Sequence, residues 1–212
     1  LPTITLQGLN DRALLMHRID RKYVVTAAQY AAWLTALQPE LCVLEIDGRT
    51  SFHYASTYFD TPSHTSFLSS AQKRRFRFKV RVRTYLDSGL RYVEVKVRDS
   101  REGTEKLRQP CSASSTQGLD TEAQAFVADA LLEAGIPSHV AQDLVPALET
   151  HFTRTTLLVT TSGCRVTVDS YIKFSAENAA QVGLPKLLIL ETKSDSHDTH
   201  ADKVLWRMGV RP

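Results

Sequence analysis

Little in this chain supplies ready-made chemistry. Three cysteines, Cys42, Cys111 and Cys164, are spread through 212 residues, odd in number and without a CxxC pair. That pattern argues against a zinc site or a disulfide framework and suits a reducing compartment. The nine glycines form no phosphate-cradling loop, and there is no GxSxG turn, so phosphate chemistry would rest on side-chain cations rather than on backbone amides. No apolar stretch approaches the ~20 residues of a membrane-spanning helix; Leu187–Leu190 is typical of the longest runs. No signal peptide, internal repeat or low-complexity tract is visible. The chain opens on Leu1 rather than Met, and the reading expects a missing N-terminal piece on a soluble, cytoplasmic domain.

Cations in alternation are what the chain has instead. Arg75–Arg83 reads R-F-R-F-K-V-R-V-R. Successive strand side chains point to opposite faces, which puts Arg75, Arg77, Lys79, Arg81 and Arg83 on one face and Phe76, Phe78, Val80 and Val82 on the other. Five like charges at this spacing need solvent, acids or a bound anion to compensate them. The solvated face of an antiparallel sheet is the ordinary fate of such a strand, but that fate predicts mixed signs, and no acid occurs among the five. With the phenylalanines on the opposite face, the strand offers no ring among its cations on which a nucleic-acid base could stack. The reading therefore expects no nucleic-acid partner.

The formal net charge of +3 hides a segregation. Arg18, Lys22, Arg77, Lys79, Arg81, Arg83, Lys96, Lys106, Arg108, Arg154, Arg165 and Lys193 form a set with only Asp20, Glu94, Asp169 and Glu191 interleaved, while the rest of the chain is acidic. Glu94-x-Lys96 and Glu191-x-Lys193 each put an acid beside a base on one strand face. These acids are candidates for holding Mg²⁺ or Mn²⁺, which bind through one or two carboxylates and the substrate's phosphates. Glu191 follows the apolar run Leu187–Leu190 and should be buried beside a partner. His197 and His200, in a stretch with Asp195, Asp198 and Asp202, read as a solvated loop.

The periodicity predicts an α+β fold. Strands are expected at Arg18–Val25, Leu41–Ile46, Phe52–Phe59, Lys73–Tyr85, Leu90–Arg98, Lys106–Cys111, His151–Thr160, Cys164–Lys173 and Leu187–Lys193. Helices are expected at Ala27–Leu37 behind the N-cap Thr26, at Thr121–Ala134 with Gly135 as stop, and at Ala201–Met208. Thr61-Pro62 opens a short helix or loop through Ser70. Residues 1–16 show little pattern, and Ser112–Gln117 and Glu177–Pro185 read as loops. Turns at Asp47-Gly48, Asp87-Ser88-Gly89 and Ser162-Gly163 join neighbouring strands. Mainly antiparallel strands, apolar on one face and cationic on the other, suggest an eight-stranded barrel with a few flanking helices, built as one domain over residues 1–212.

Eight fragments in order resemble the catalytic domain of the vacuolar transporter chaperone (VTC) polyphosphate polymerases, a branch of the CYTH-like triphosphate tunnel metalloenzymes. They are R-x-D-x-K-Y at Arg18–Tyr23, Y-F-D at Tyr58–Asp60, R-x-K-V-R-x-R-x-Y at Arg77–Tyr85, V-E-V-K at Val93–Lys96, K-x-R at Lys106–Arg108, F-x-R at Phe152–Arg154, R-x-T-x-D at Arg165–Asp169 and L-E-x-K at Leu190–Lys193. The resemblance implies a basic tunnel that binds a nucleoside triphosphate and a divalent metal. It implies phosphate ligands at Lys22, Arg81, Arg83, Lys96, Lys106, Arg154, Arg165 and Lys193, to which the charge pattern adds Arg18, Arg77, Lys79 and Arg108. Arg81, Arg83, Lys96 and Glu191 form the expected catalytic set. Glu191 is the expected metal ligand, with Glu94 and Asp169 as further candidates.

Arg18-x-Asp20-x-Lys22 stands where hydrolases and cyclases of that superfamily carry Glu-x-Glu-x-Lys, which favours the polymerase branch. The chain stops at Pro212, where family members continue into a Ser-Lys-Tyr segment. It carries neither the inositol-phosphate sensor domain nor the membrane helices of the eukaryotic members, and so looks like a soluble bacterial form. The expectation is an ATP-dependent polyphosphate polymerase, with ATP and inorganic polyphosphate or triphosphate as partners. The alternatives are a tunnel-fold triphosphatase or short-chain polyphosphatase, and a non-catalytic polyphosphate or nucleotide-binding module.

Overall fold

In a computed structural model, residues 1–12, 19–98, 104–112, 118–176 and 179–212 are described. In chain order the elements are β1 (Thr3–Ile4), α1 (Leu6–Arg12), β2 (Ile19–Thr26), α2 (Ala27–Leu37), β3 (Leu41–Leu44), β4 (Ser51–Asp60), α3 (Thr65–Ala71), β5 (Arg77–Tyr85), β6 (Arg91–Arg98), β7 (Thr104–Pro110), α4 (Thr121–Glu133), β8 (Val145–Val159), β9 (Cys164–Ser175), β10 (Val182–Gly183), β11 (Leu187–Ser194) and α5 (His200–Arg207). The fold is α+β. Eight strands form the main ladder in the order β2-β11-β9-β8-β4-β5-β6-β7, with β1, β3 and β10 attached beside it. No helix among the described residues is long and apolar enough to cross a membrane.

The chain divides into two compact units. The first comprises Leu1–His53, Phe152–Lys173 and Gly183–Pro212; the second comprises Tyr54–His151 and Phe174–Val182. In the first unit, α2 begins where Thr26 and Gln29 satisfy each other's backbone N–H groups (3.2 and 2.9 Å), the reciprocal cap that frees a chain to turn from strand to helix. Trp33 on α2 is fully buried and donates to the Ala201 carbonyl of α5 (3.1 Å). Tyr23, Val25, Val166, Val168 and Leu190 join Trp33, Leu37 and Leu205 in the core, so alternate residues of β2, β9 and β11 face these helices.

In the second unit, Phe78, Val80 and Val82 of β5 and Val93, Val95 and Val97 of β6 pack on Ala123, Val127, Ala130 and Leu131 of α4. Burying one face of period-2 strands against a helix leaves the other face for charge. Asp60, at the end of β4, accepts from the backbone N–H groups of Thr61, Ser66 and Phe67 (2.8, 2.8 and 2.9 Å). It thereby ties the start of α3 to the sheet.

Several expectations require correction. The cationic strand starts at Arg77, so Arg75 and the 44% exposed Phe76 lie outside it. Residues 1–12 form β1 and α1 rather than a featureless lead-in, because Leu9 buries itself against Leu44 and Leu158. Pro62 sits in the turn ahead of α3, not in its first turn. The turn at Asp47-Gly48, both with positive φ, connects β3 to β4, but β3 pairs with β1 and β8 instead. Asp202 is fully buried rather than part of a solvated loop. Arg18, and residues 113–117, 177 and 178 of the stretches expected as loops, lie outside the described residues.

Candidate functional site

Cross-strand register in the second unit sorts the charges into rows. Lys79 lies opposite Lys96, and Lys96 lies opposite Lys106. One step along, Tyr58, Arg81, Glu94 and Arg108 stand across β4, β5, β6 and β7. Arg77 faces Arg98 and Arg83 faces Tyr92. Directly opposed residues share a face of the sheet, so all of these project from the side away from α4. Neighbouring strands are about 4.8 Å apart, and the three lysines of one row are all exposed. Like charges directly opposite one another are destabilising, and an anion across the row would relieve them.

Glu94 is the counter-charge in this face. It is 2% exposed and accepts from Arg81 Nε and Lys106 Nζ, each at 2.7 Å, with Arg83 Nε at 3.9 Å. Burial alone would push its carboxyl up, but the charges of Arg81 and Arg83 and the Lys106 bond outweigh burial and bring it down to about 2. Burial pulls the Lys106 ammonium below the ordinary lysine value. Arg81 also donates to the Tyr58 hydroxyl (2.9 Å). Stacking holds other guanidinium groups in place: Arg83 lies 5.6 Å from the Tyr54 ring centre and Arg108 lies 5.2 Å from that of Tyr92. Arg77 instead donates to the Arg74 carbonyl at 2.8 Å.

The first unit carries its own cluster. Glu191 on β11 faces Lys22 on β2 and Thr167 on β9. Its carboxylate takes Lys22 Nζ at 3.0 Å and Lys193 Nζ at 2.9 Å, and Lys193 also approaches Asp20 at 3.7 Å. Glu191 is 7% exposed. Burial again opposes ionisation, yet Lys22 and Lys193 lower the carboxyl to about 2. Asp169 is clamped by Arg154, Nε to Oδ1 at 2.6 Å and Nη2 to Oδ2 at 2.7 Å, the two-point geometry that makes arginine–carboxylate pairs strong. Arg165 donates to Asn10 at 2.8 Å. The Thr167 hydroxyl is buried beside this cluster without a hydrogen-bond partner.

Within each unit, then, the structure brings the expected cations onto one face. The second holds Arg77, Lys79, Arg81, Arg83, Lys96, Lys106 and Arg108; the first joins Lys22 to Lys193 and Arg154 to Asp169. The two acid-base repeats differ in outcome. Glu191 pairs with Lys193 as its spacing suggests, whereas Glu94 reaches Arg81 and Lys106 on flanking strands. His200 opens α5 and bonds Glu40 (2.8 Å). Sequence reasoning missed Arg98, opposite Arg77, and the tyrosines Tyr54, Tyr58, Tyr85 and Tyr92 on the cation face. Their signal was the same alternation, continued along β5 to Tyr85 and into β4 and β6.

A metal would have to suit these carboxylates. Among the described residues there is no group of three or more His, Cys, Asp or Glu that could hold an ion, which argues against an all-protein cage. Both oxygens of Glu94 are taken, by the half-buried Arg81 and by Lys106, and both of Asp169 by the half-buried Arg154. Glu191 is different, because one of its partners, Lys22, has a side chain 66% exposed that can swing to a phosphate. A hard cation arriving with phosphate needs only one or two carboxylates, and Glu191 fits that requirement.

Comparison with known proteins gives a family match and a likeness of fold. The model of the VTC domain family matches residues 17–208. No curated protein matches the chain. Among solved structures, a proposed adenylate cyclase of Bacillus halodurans has a similar fold, with a TM-score of 0.52 and 15% identity over 91% of this chain and 89% of that one. A Pyrococcus horikoshii protein aligns at 0.48 and 11% identity, over 91% and 88% of the two chains. A Hippeastrum protein, studied as an adenylyl cyclase and showing a dominant triphosphatase activity, aligns at 0.46 and 12% identity, over 91% and 83%.

Proposed function

Because the chain belongs to the VTC domain family, we propose that it is an ATP-dependent polyphosphate polymerase, moving the γ-phosphate of ATP onto a growing inorganic polyphosphate chain. The observation that carries this reading is the in-register lysine row Lys79–Lys96–Lys106 beside the Arg81–Glu94–Arg108 row. A polyanion with regularly spaced charges is the natural complement of cations repeated across strands and along them.

Phosphoryl transfer asks little covalent chemistry of a protein; alignment and charge neutralisation supply most of the rate. Arg81 and Arg83 are half-buried or buried and held by Glu94, Tyr58 and Tyr54, so they meet developing charge already oriented. Lys96, Lys79 and Lys106 are exposed and able to follow a moving chain. In the first unit, Lys22 and Lys193 bind phosphate at the expense of their contacts to Glu191, and Arg154 and Arg165 belong to the cationic set of that unit. The attacking oxygen belongs to a terminal phosphate that is already ionised, so no general base is required. Glu191 would hold Mn²⁺ or Mg²⁺, which when bound would neutralise phosphate oxygens and help keep them in line.

Incubating the protein with ATP and Mn²⁺, then resolving the products on a gel stained for polyphosphate, tests the reading. Ladders of polyphosphate are expected. Release of orthophosphate from triphosphate without ladders would identify a hydrolase, and binding without turnover would identify a non-catalytic module.

A further inference from the structure

Three tyrosines crowd one end of the cationic face in the second unit. Tyr54 on β4 lies opposite Tyr85 on β5, and Tyr92 on β6 lies opposite Arg83. The ring centres of Tyr54 and Tyr85 are 5.1 Å apart, and those of Tyr85 and Tyr92 are 5.9 Å apart and edge-on. All three side chains are half-buried. They sit on the face away from α4, so the core of this unit does not claim them. Pro110 stands exposed across from Tyr92, and Leu86 and Leu90 are 50% and 55% exposed at the β5–β6 turn. An aromatic, partly apolar surface is thus continuous with the phosphate-binding rows.

Two of the rings have visible work supporting arginines, since Arg83 lies over Tyr54 and Arg108 over Tyr92. Among the described contacts Tyr85 touches no guanidinium; its ring partners are Tyr54 and Tyr92. Arginine support therefore leaves Tyr85 unexplained. It is two residues from Arg83 and four from Arg81 along β5, roughly 7 and 14 Å on an extended strand. A planar ring stacked at Tyr85 and a phosphate chain at Arg83 and Arg81 would lie along one line, with a sugar between them.

We propose that Tyr54, Tyr85 and Tyr92 form a nucleobase subsite, so that this face selects nucleoside triphosphates over inorganic triphosphate. The inference rests on the reading of the face as a phosphate site. Base stacking on aromatic rings tolerates any base, so purine identity matters little here.

Equilibrium binding of ATP, GTP and inorganic triphosphate to the intact chain, at one low salt concentration, tests it. The wild type should bind ATP and GTP similarly, and both more tightly than inorganic triphosphate despite the latter's higher charge. Tyr85→Ala should weaken ATP and GTP by about tenfold or more while leaving inorganic triphosphate within about twofold, and Tyr85→Phe should restore the preference. Equal loss for all three ligands would make Tyr85 a support of the arginines and overturn the subsite. So would a wild type that prefers inorganic triphosphate, a comparison that needs no variant to fold. A wild type that binds none of the three would instead refute the phosphate site itself.

Discussion

Glu94 and Glu191 each hold two or more cations in a place where water scarcely reaches, and this gives the protein a pH signature. Each carboxyl sits at about 2 in the folded chain against an ordinary value of 4.5. A depressed folded value means that the stabilisation is present above about pH 4.5 and is lost as pH falls toward 2. Each contributes on the order of 3 kcal/mol. Melting temperature should therefore hold steady through neutral pH and drop steeply between pH 4.5 and 2, and Glu94→Gln should flatten part of that drop. Parallel melting profiles for wild type and variant would contradict the assignment. At neutral pH the same substitution leaves the half-buried Arg81 and the buried Arg83 with weaker compensation and should cost about 3 kcal/mol. Glu191→Gln separates catalysis from binding. Turnover should fall at least a hundredfold, while metal-free triphosphate binding is kept or tightened because Lys22 and Lys193 are released. Polymerase activity that survives this change would remove Glu191 from the mechanism.

At the scale of elements, the ends of helices decide which strand faces stay in register. Asp202 is the third residue of α5 and fully buried. It accepts from Tyr23 and Thr192 at 2.7 Å and from the hydroxyl of Thr199 at 2.6 Å. Arg21 reaches it at 3.5 Å, and the Arg21 guanidinium lies 5.6 Å from the Trp206 ring centre. One carboxylate thereby caps α5 and locks it to β2 and β11, the two strands that present Lys22 and Glu191 from their other face. Asp202→Ala should destabilise the chain by about 3 kcal/mol, because it strands several buried donors at once. Thr199→Val should cost about 1 kcal/mol through the lost cap. Chemical denaturation measures both, and a smaller effect for Asp202→Ala than for Thr199→Val would show that the network is not what anchors the helix.

For the whole molecule, the concentration of cations on strand faces sets how it answers to salt and ligand. If the cationic faces are the proposed phosphate site, inorganic triphosphate should bind the folded chain, whose cations are aligned, and not the dispersed charges of the unfolded one. Saturation at a hundred times the dissociation constant should add about 2.7 kcal/mol of stability. The gain should shrink as ionic strength rises and the Debye length falls below about 10 Å. Thermal melts with and without millimolar triphosphate, at low and high salt, measure this. Equal melting temperatures at low salt would argue against any anion site.

Alternation alone determined much of this protein. Period-2 patterning separates Phe78, Val80 and Val82 from Arg77, Lys79, Arg81 and Arg83, and the structure buries the first set on α4. The N-cap of α2 and the hairpin between β5 and β6 were equally legible, since they depend on neighbours within a few residues. Register was not legible. Which lysine stands beside which, and that Glu94 serves Arg81 and Lys106 rather than Lys96, depends on pairings between strands that adjoin only after folding. The tyrosines were hidden for the same reason: Tyr54, Tyr85 and Tyr92 are separated in the chain and meet only across β4, β5 and β6. Asp202 read as one acid among several, and became a buried anchor because Tyr23, Thr192 and Thr199 converge on it from distant segments. Local pattern fixes which face a side chain takes, whereas its partners on that face are chosen by hydrogen bonds between strands far apart in the sequence.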